Sequence, residues 1–128
     1  MAILRCPCDT GLPYAECCAP LHGGTAAAST AEQLMRSRYS AFALGDAGYL
    51  LDTWHASTRP RTLQIDPGLR WIGLDVLGTT GGSPLHSDGT VEFRAHYLRN
   101  HEPGAQHENS RFLRDRGQWR YLDGVALT

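Results

Sequence analysis

A chain of 128 residues, 41% hydrophobic and 20% charged, is long enough for one compact domain with a core of its own plus a small appendage. Its formal net charge is −1 and no long run of one sign occurs, so a broadly basic nucleic-acid surface is not indicated, and no stretch approaches a membrane span. The opening Met1-Ala2-Ile3-Leu4-Arg5 is too short for the apolar region of a secretion signal, which makes the cytoplasm the expected compartment. In that reducing setting, clustered cysteines point to metal ligation before structural disulfides.

All four cysteines fall in the first segment, residues 1–22, as Cys6-Pro7-Cys8 and Cys17-Cys18 around a Gly11/Pro13 loop. Residues 23–29, Gly23-Gly24-Thr25-Ala26-Ala27-Ala28-Ser29, read as a flexible connector. The remainder, 30–128, is the main domain. It opens on a helix with Ser29 as N-cap and Glu32 at capping-box spacing. Met35, Tyr39 and Phe42 recur on one face of that helix, and Gly45 ends it. Asp46 caps a second helix, Ala47 to about His55, that buries Leu50, Leu51 and Trp54. Pro60 and Pro67 bracket an irregular stretch with room for one more helical turn.

The hydrophobic period then changes to two. Trp71 to Leu77 forms a strand with Ile72, Leu74 and Val76 on one face, and Val91 to Leu98 a second with Val91, Phe93, Ala95 and Tyr97 on one side. Gly81-Gly82-Ser83-Pro84 and Asp88-Gly89 mark loops, and the polar run Asn100 to Gln106 reads as another. His107–Arg114 and Gln118–Val125 form a hairpin about Asp115-Arg116-Gly117. Helices followed by a four-stranded meander make an α+β fold, with the N-terminal helices packed on a curved antiparallel sheet.

Cys6, Cys8, Cys17 and Cys18 supply the four thiolates of a tetrahedral zinc site, and a full set of protein ligands leaves no position for water or substrate, so the expected cofactor is a structural Zn ion. His22 is near enough in sequence to replace one cysteine. Redox pairs and incidental thiols are the other readings of the same residues; a disulfide between the neighbours Cys17 and Cys18 would be strained.

Cys6-Pro7-Cys8, Gly11, Tyr14 and Cys17-Cys18 together resemble the SEC-C motif, the zinc-binding tail of the bacterial secretion ATPase SecA. Met35-Arg36-Ser37-Arg38-Tyr39-Ser40-Ala41-Phe42, Thr53-Trp54-His55, Ser110-Arg111-Phe112 and Tyr121-Leu122-Asp123-Gly124 resemble the bacterial YchJ-like family. The resemblance implies a SEC-C segment, with zinc at Cys6, Cys8, Cys17 and Cys18, followed by a cone-shaped domain of the nuclear-transport-factor-2-like (NTF2-like) or cystatin-like kind. Where many SEC-C motifs have Cys-Pro-Cys-Gly-Ser-Gly, this chain has Asp9-Thr10-Gly11, and Asp tolerates the left-handed turn. The lysines that suit the SecA tail to an acidic partner are replaced by Leu12, Ala15 and Glu16, with Arg5 the only cation nearby, so that partner does not carry over. Some family members carry a second SEC-C motif at the C-terminus; this sequence stops at Thr128 without one.

In the body of the chain Arg38 lies inside the apolar arc of the first helix, where a guanidinium needs an anion or several acceptors. Arg36 sits on the flank and reads as solvated. A polar cluster of Arg38, His55, Glu108, Arg111 and Asp123 would form the floor or rim of the cone; the blander alternative is a structural ion-pair network. The function expected first is a non-enzymatic binding or adaptor module with a structural zinc and a protein partner. The second is a small-molecule enzyme of the isomerase or cyclase type using the cone pocket, with His55 as general base oriented by Glu108 or Asp123. Nucleic-acid binding through arginines and aromatics ranks third against the near-neutral charge.

Overall fold

The computed structural model describes residues 4–127. The leader reading of Met1-Ala2-Ile3 and the chain end at Thr128 lie outside the described residues. Within them the order is a short 3₁₀ turn (Tyr14–Glu16), α1 (Ala19–His22), α2 (Ala31–Leu44), α3 (Ala47–Asp52), then β1 (Leu69–Gly81), β2 (Asp88–Arg99), β3 (Glu102–Asp115) and β4 (Gln118–Ala126). The strands form one antiparallel sheet in the order β1-β2-β3-β4, with α2 packed across it. The expected α+β architecture is the one observed. No helix among the described residues is long and apolar enough to cross a membrane.

The start of α2 lies one residue later than the sequence reading. Thr30 is the N-cap, its hydroxyl accepting the Gln33 N–H at 3.0 Å, while Gln33 Oε1 accepts the Ser29 N–H at 2.8 Å. Gln33, rather than Glu32, is therefore the return arm of the box. The Ala31 N–H finds Gly82 O at 3.0 Å, so the β1–β2 loop satisfies another free donor of the helix end. Gly45 closes α2 in the left-handed conformation, and Asp46 caps α3, both as expected.

Helix α3 stops at Asp52, short of His55. The next backbone groups pair with β4 instead: Thr53 O accepts the Tyr121 N–H at 2.9 Å and the His55 N–H donates to Tyr121 O at 2.7 Å. Leu50 is fully buried, whereas Leu51 and Trp54 are half-buried. Between Pro60 and Pro67 the chain is irregular and contains no helical turn.

In β1, an extra residue at Ile72 shifts the register with β2. Trp71 faces inward before this bulge and Leu74 and Val76 after it, which leaves Ile72 on the outside, 51% exposed. The expected Ile72–Leu74–Val76 face was thus wrong at its first member, because a bulge inverts the phase of a period-two pattern. A second bulge at Leu77 and one at Leu122 in β4 bend the sheet further.

The polar run after residue 100 is strand rather than loop. Asn100 (φ 50°) and His101 (φ 69°) alone make the β2–β3 turn, the left-handed pair that a two-residue hairpin needs. Pro103 is tolerated because β4 reaches only as far as Glu108, leaving β3 unpaired on that side. The Tyr97 ring lies over Gly104, where a Cβ would come within 2.6 Å of it.

The core joins Leu34, Met35 and Tyr39 of α2 to Leu74, Val91, Phe93, Ala95, Phe112 and Trp119 of the sheet. Cys6, Cys8 and Cys18 belong to the same cluster. The cysteine segment is packed onto the domain rather than held away from it on the Gly23-Gly24 connector.

Candidate metal centre

The sulfurs of Cys6, Cys8, Cys17 and Cys18 all lie within 4.8 Å of one another, none in a disulfide. Cys8 and Cys17 are 3.5 Å apart and Cys17 and Cys18 3.9 Å. A tetrahedral ion with metal–sulfur bonds of about 2.3 Å needs sulfur–sulfur edges of about 3.8 Å. The donor set and its spacing fit such an ion. Cys6, Cys8 and Cys18 are buried, and Cys17 closes the outer side.

Local chemistry brings these sulfurs together. Asp9 (φ 65°) and Gly11 (φ 87°) turn the chain left-handed after the Cys-Pro-Cys step, and the Cys6 N–H donates back to Leu12 O at 2.9 Å. Thr10 Oγ1 lies 3.2 Å from Cys17 Sγ and 3.7 Å from Cys8 Sγ. From below, Ser40 of α2 donates to Cys18 Sγ at 3.4 Å and lies 3.4 Å from Cys6 Sγ. Such outer hydrogen bonds orient thiolates and lower their basicity. Hydrogen bonding, chiefly from the Cys18 thiol, holds the Cys8 thiol down at about 4, while burial pushes Cys17 up to about 11. Cys18 is driven upward because its proton is held by Cys8. With all four deprotonated, sulfurs at this spacing would need a cation between them.

His22 is not among the converging donors. Its Nε2 donates to Ser37 O at 2.8 Å, which leaves Nδ1 to accept from the Tyr14 hydroxyl at 2.7 Å. Nε2 thus pins α1 to α2 and Nδ1 pins it to the 3₁₀ turn, so both nitrogens are used. Arg36, read as solvated, is half-buried: it donates to Glu32 at 3.0 Å and to Cys8 O at 2.7 Å, tying the cysteine loop to α2.

Asp9 was legible only as a tolerated turn residue, yet its carboxylate accepts the Leu74 N–H at 2.9 Å, a donor that lies just past the β1 bulge. Asp9→Gly keeps the turn and loses this bond, so it is expected to cost about 1 kcal/mol, the typical net worth of one hydrogen bond. Asp9→Val adds a left-handed β-branched residue and is expected to cost about 1–2 kcal/mol more. Denaturant melts of the metal-loaded variants measure both, and equal stability of all three chains would refute the docking role.

The five residues of the expected polar cluster do not converge. Arg38 and Glu108 line one cavity of about 330 Å³ between α2 and the sheet, together with Tyr39, Trp71, Phe112 and Tyr121. Arg111 and Asp123 pair with each other on the outer face of the sheet, with Nε to Oδ1 at 2.7 Å. His55 hydrogen-bonds Ser57 through Nδ1 at 2.7 Å and meets neither Glu108 nor Asp123. The acid–base pair considered from the sequence is therefore not assembled. Two histidines of the sheet hydrogen-bond carboxylates, His96 with Asp75 at 2.8 Å and His107 with Glu92 at 2.6 Å.

Burial raises the pKa of Glu108. A carboxyl that holds its proton more tightly when folded makes the native state bind more protons than the unfolded chain between the ordinary and the raised value. Stability then falls as pH rises through that window. Glu108→Gln removes the effect. Its Tm is expected to gain on the wild type as pH climbs from about 4 towards neutrality, with no gain below the ordinary carboxylate pKa. Acid release of a bound metal would affect both chains alike, so the difference between their melts isolates Glu108.

Comparisons with known proteins agree with this arrangement. A family model described as YchJ, middle NTF2-like domain, matches residues 30–124. The chain is 57% identical over 122 residues to a UPF0225 protein of Streptomyces coelicolor, covering 95% of each. It is 52% identical over 120 residues to one of Corynebacterium glutamicum, covering 94% of this chain and 95% of that one. It superposes on the solution structure of a SEC-C motif containing protein from Rhodopseudomonas palustris with a TM-score of 0.85 at 35% identity, over 98% of this chain and all of the other. A crystal structure of a SEC-C motif containing protein from Psychrobacter arcticus gives a TM-score of 0.78 at 30% identity, over 96% and 82%.

Proposed function

Because this chain belongs to the YchJ family of UPF0225 proteins, which unites a SEC-C segment with an NTF2-like domain, we propose that it is a non-enzymatic binding module braced by one structural zinc ion. The observation that carries the reading is the convergence of four thiols, three of them buried, with all sulfurs inside 4.8 Å. Zinc is the metal chosen: it takes four thiolates in a tetrahedron without preference from d electrons, and a closed sulfur shell favours it over harder ions. In this reading residues 1–22 carry the zinc, 23–29 connect, and 30–128 form the domain that presents binding surfaces. The cytoplasm, where thiols stay reduced, is the matching compartment.

A structural ion here has a definite task. The cysteine loop, the start of α2 and the end of β1 together wall a groove of about 520 Å³, whose lining includes Thr10, Cys17, Arg36 and Thr79. Zinc would hold the loop side of that groove in one shape, and a protein partner would read it. Elemental analysis of tag-free protein tests the metal: about one zinc per chain supports the reading. Iron in its place, or thiols that cycle with an oxidant and hold no metal, would overturn it.

A further inference from the structure

The cavity between α2 and the sheet holds a cation that the protein satisfies on one side only. Arg38 is 6% exposed. Its Nη1 donates to Leu50 O and to Thr53 Oγ1, both at 2.7 Å. Its guanidinium carbon stands 4.4 Å from the centre of the Tyr121 ring and 5.2 Å from that of Trp54. Among the described residues Nε and Nη2 have no acceptor and no carboxylate pairs with Arg38. Among the described residues the fully buried polar atom without a partner is Arg114 Nε, so the unbonded N–H groups of Arg38 keep some accessible surface, and Arg38 lines this cavity.

Burial lowers the Arg38 pKa to about 10, which leaves the guanidinium charged at neutral pH. A buried charge with unused donors calls for an anion. Neither carboxylate in the cavity wall supplies it. Asp66 is taken by Arg99 at 2.9 Å, and among the described residues Glu108 pairs with no cation. Burial also disfavours the charged form of Glu108. Apart from Gln64, Gln106 and Ser110, the rest of the wall is apolar and largely aromatic, with Tyr39, Phe42, Trp71 and Phe93 among its members.

We propose that this cavity binds a small monocarboxylate carried on a flat apolar body, with its two oxygens on Nε and Nη2 of Arg38 and its ring against Trp71 and Tyr39. The side-by-side N–H groups of a guanidinium match a carboxylate in bidentate fashion. One positive charge in an apolar wall balances a monoanion; a phosphate dianion would bring an uncompensated charge into the cavity. The volume of about 330 Å³ suits an acid of one or two rings. None of the four cysteines lines the cavity, so this inference goes beyond the zinc reading and does not depend on it.

The test uses the full, metal-loaded chain titrated with naphthoate, with naphthamide and with naphthylmethylamine, read by calorimetry and by the indole N–H signals of Trp54 and Trp71. The acid is expected to saturate one site and to shift both signals, with the amide roughly tenfold weaker and the amine weaker still. Arg38→Gln is expected to lose roughly tenfold or more of the affinity for the acid, whereas Arg111→Gln on the outer face should bind it as the wild type does. If Arg38→Gln does not fold, the three-probe series on the wild type still decides. Amide or amine binding as tightly as the acid, no saturation at millimolar acid, or unchanged affinity in a folded Arg38→Gln would each overturn the proposal. Zinc content is measured on the same samples, so a failed zinc reading and a failed cavity reading are told apart.

Discussion

Cys18→Ser is expected to abolish metal binding and to lower stability by at least about 3 kcal/mol, or roughly 10 °C in Tm for a chain of this size. The size of the effect follows from where the sulfur sits. Cys18 is 2% exposed and shares its cluster with Leu34, Met35 and Tyr39, so an emptied site leaves polar groups without their metal partner in contact with the main core. Structural zinc in isolated fingers is worth more, about 10–16 kcal/mol, but there it holds the whole fold. Here α2 and the sheet supply a core of their own, and only part of that energy should appear. Cys17→Ser should lose the metal with a smaller drop, because Cys17 is partly exposed and a serine there can reach Thr10 or water. Thermal melts with and without a strong chelator check the assignment: the gap between wild type and Cys18→Ser should close in chelator. A gap of full size in chelator, or zinc retained by the variant, would show that Cys18 is only a packing residue.

What the sequence made legible divides by range of interaction. The helix stops at Gly45 and Asp46, the antiparallel meander and the gathering of four cysteines in one short segment are local patterns, and each can be read from neighbours a few residues apart. The misreadings come from contacts made at a distance. α3 ends early because Thr53 and His55 pair with Tyr121, far along the chain. The β1 face was inverted by a bulge at Ile72, whose companion donor, the Leu74 N–H, is used by Asp9 from the other end of the sequence. Asn100-His101 was lost in a polar run because Glu102, Pro103, Ala105 and Gln106 are exposed in a part of β3 that β4 does not reach, where polarity says nothing against strand.

The site was legible to the same extent. Cys6, Cys8, Cys17 and Cys18 announce themselves by spacing, whereas their supports on α2 do not. Ser40 stands where the helix meets sulfur, and Arg36 reaches the Cys8 carbonyl. A signal did exist: Ser37, Arg38 and Ser40 are polar residues inside a helix whose neighbours Met35, Tyr39 and Ala41 are core, and buried polar groups must have partners. That rule identifies them as bonded without saying to what. Arg38 was singled out on this ground, but the five-residue cluster built around it assumed that opposite charges find one another. Arg111 and Asp123 instead sit directly across the β3–β4 ladder, facing out, where register rather than charge chose the pair.

Phe112→Ala is expected to destabilise the chain by about 3–5 kcal/mol, the range for emptying a buried phenylalanine site. Phe112 is 1% exposed and is the largest of the fully buried side chains. Its ring meets Tyr121 edge-on, with centroids 5.9 Å apart; Tyr121 in turn meets Trp54 at 5.0 Å and carries the Arg38 guanidinium on its face. Removing Phe112 therefore does more than open a void. It frees the ring on which Arg38 rests, at the wall of the cavity itself, and a cavity with a loosened cation should lose its preference for the acid over the amide along with its stability. Phe42 provides the contrast. It lines the same cavity from α2 but is only half-buried, and Phe42→Ala is expected to cost about 1–2 kcal/mol and to leave Tyr121 and Arg38 in place. Denaturant melts give the two stability changes. Acid–amide selectivity, measured on whichever variants remain folded, then separates the two roles. If Phe112→Ala keeps full selectivity, Arg38 is held by its bonds to Leu50 and Thr53 alone, and the aromatic stack beneath it is packing without a part in recognition.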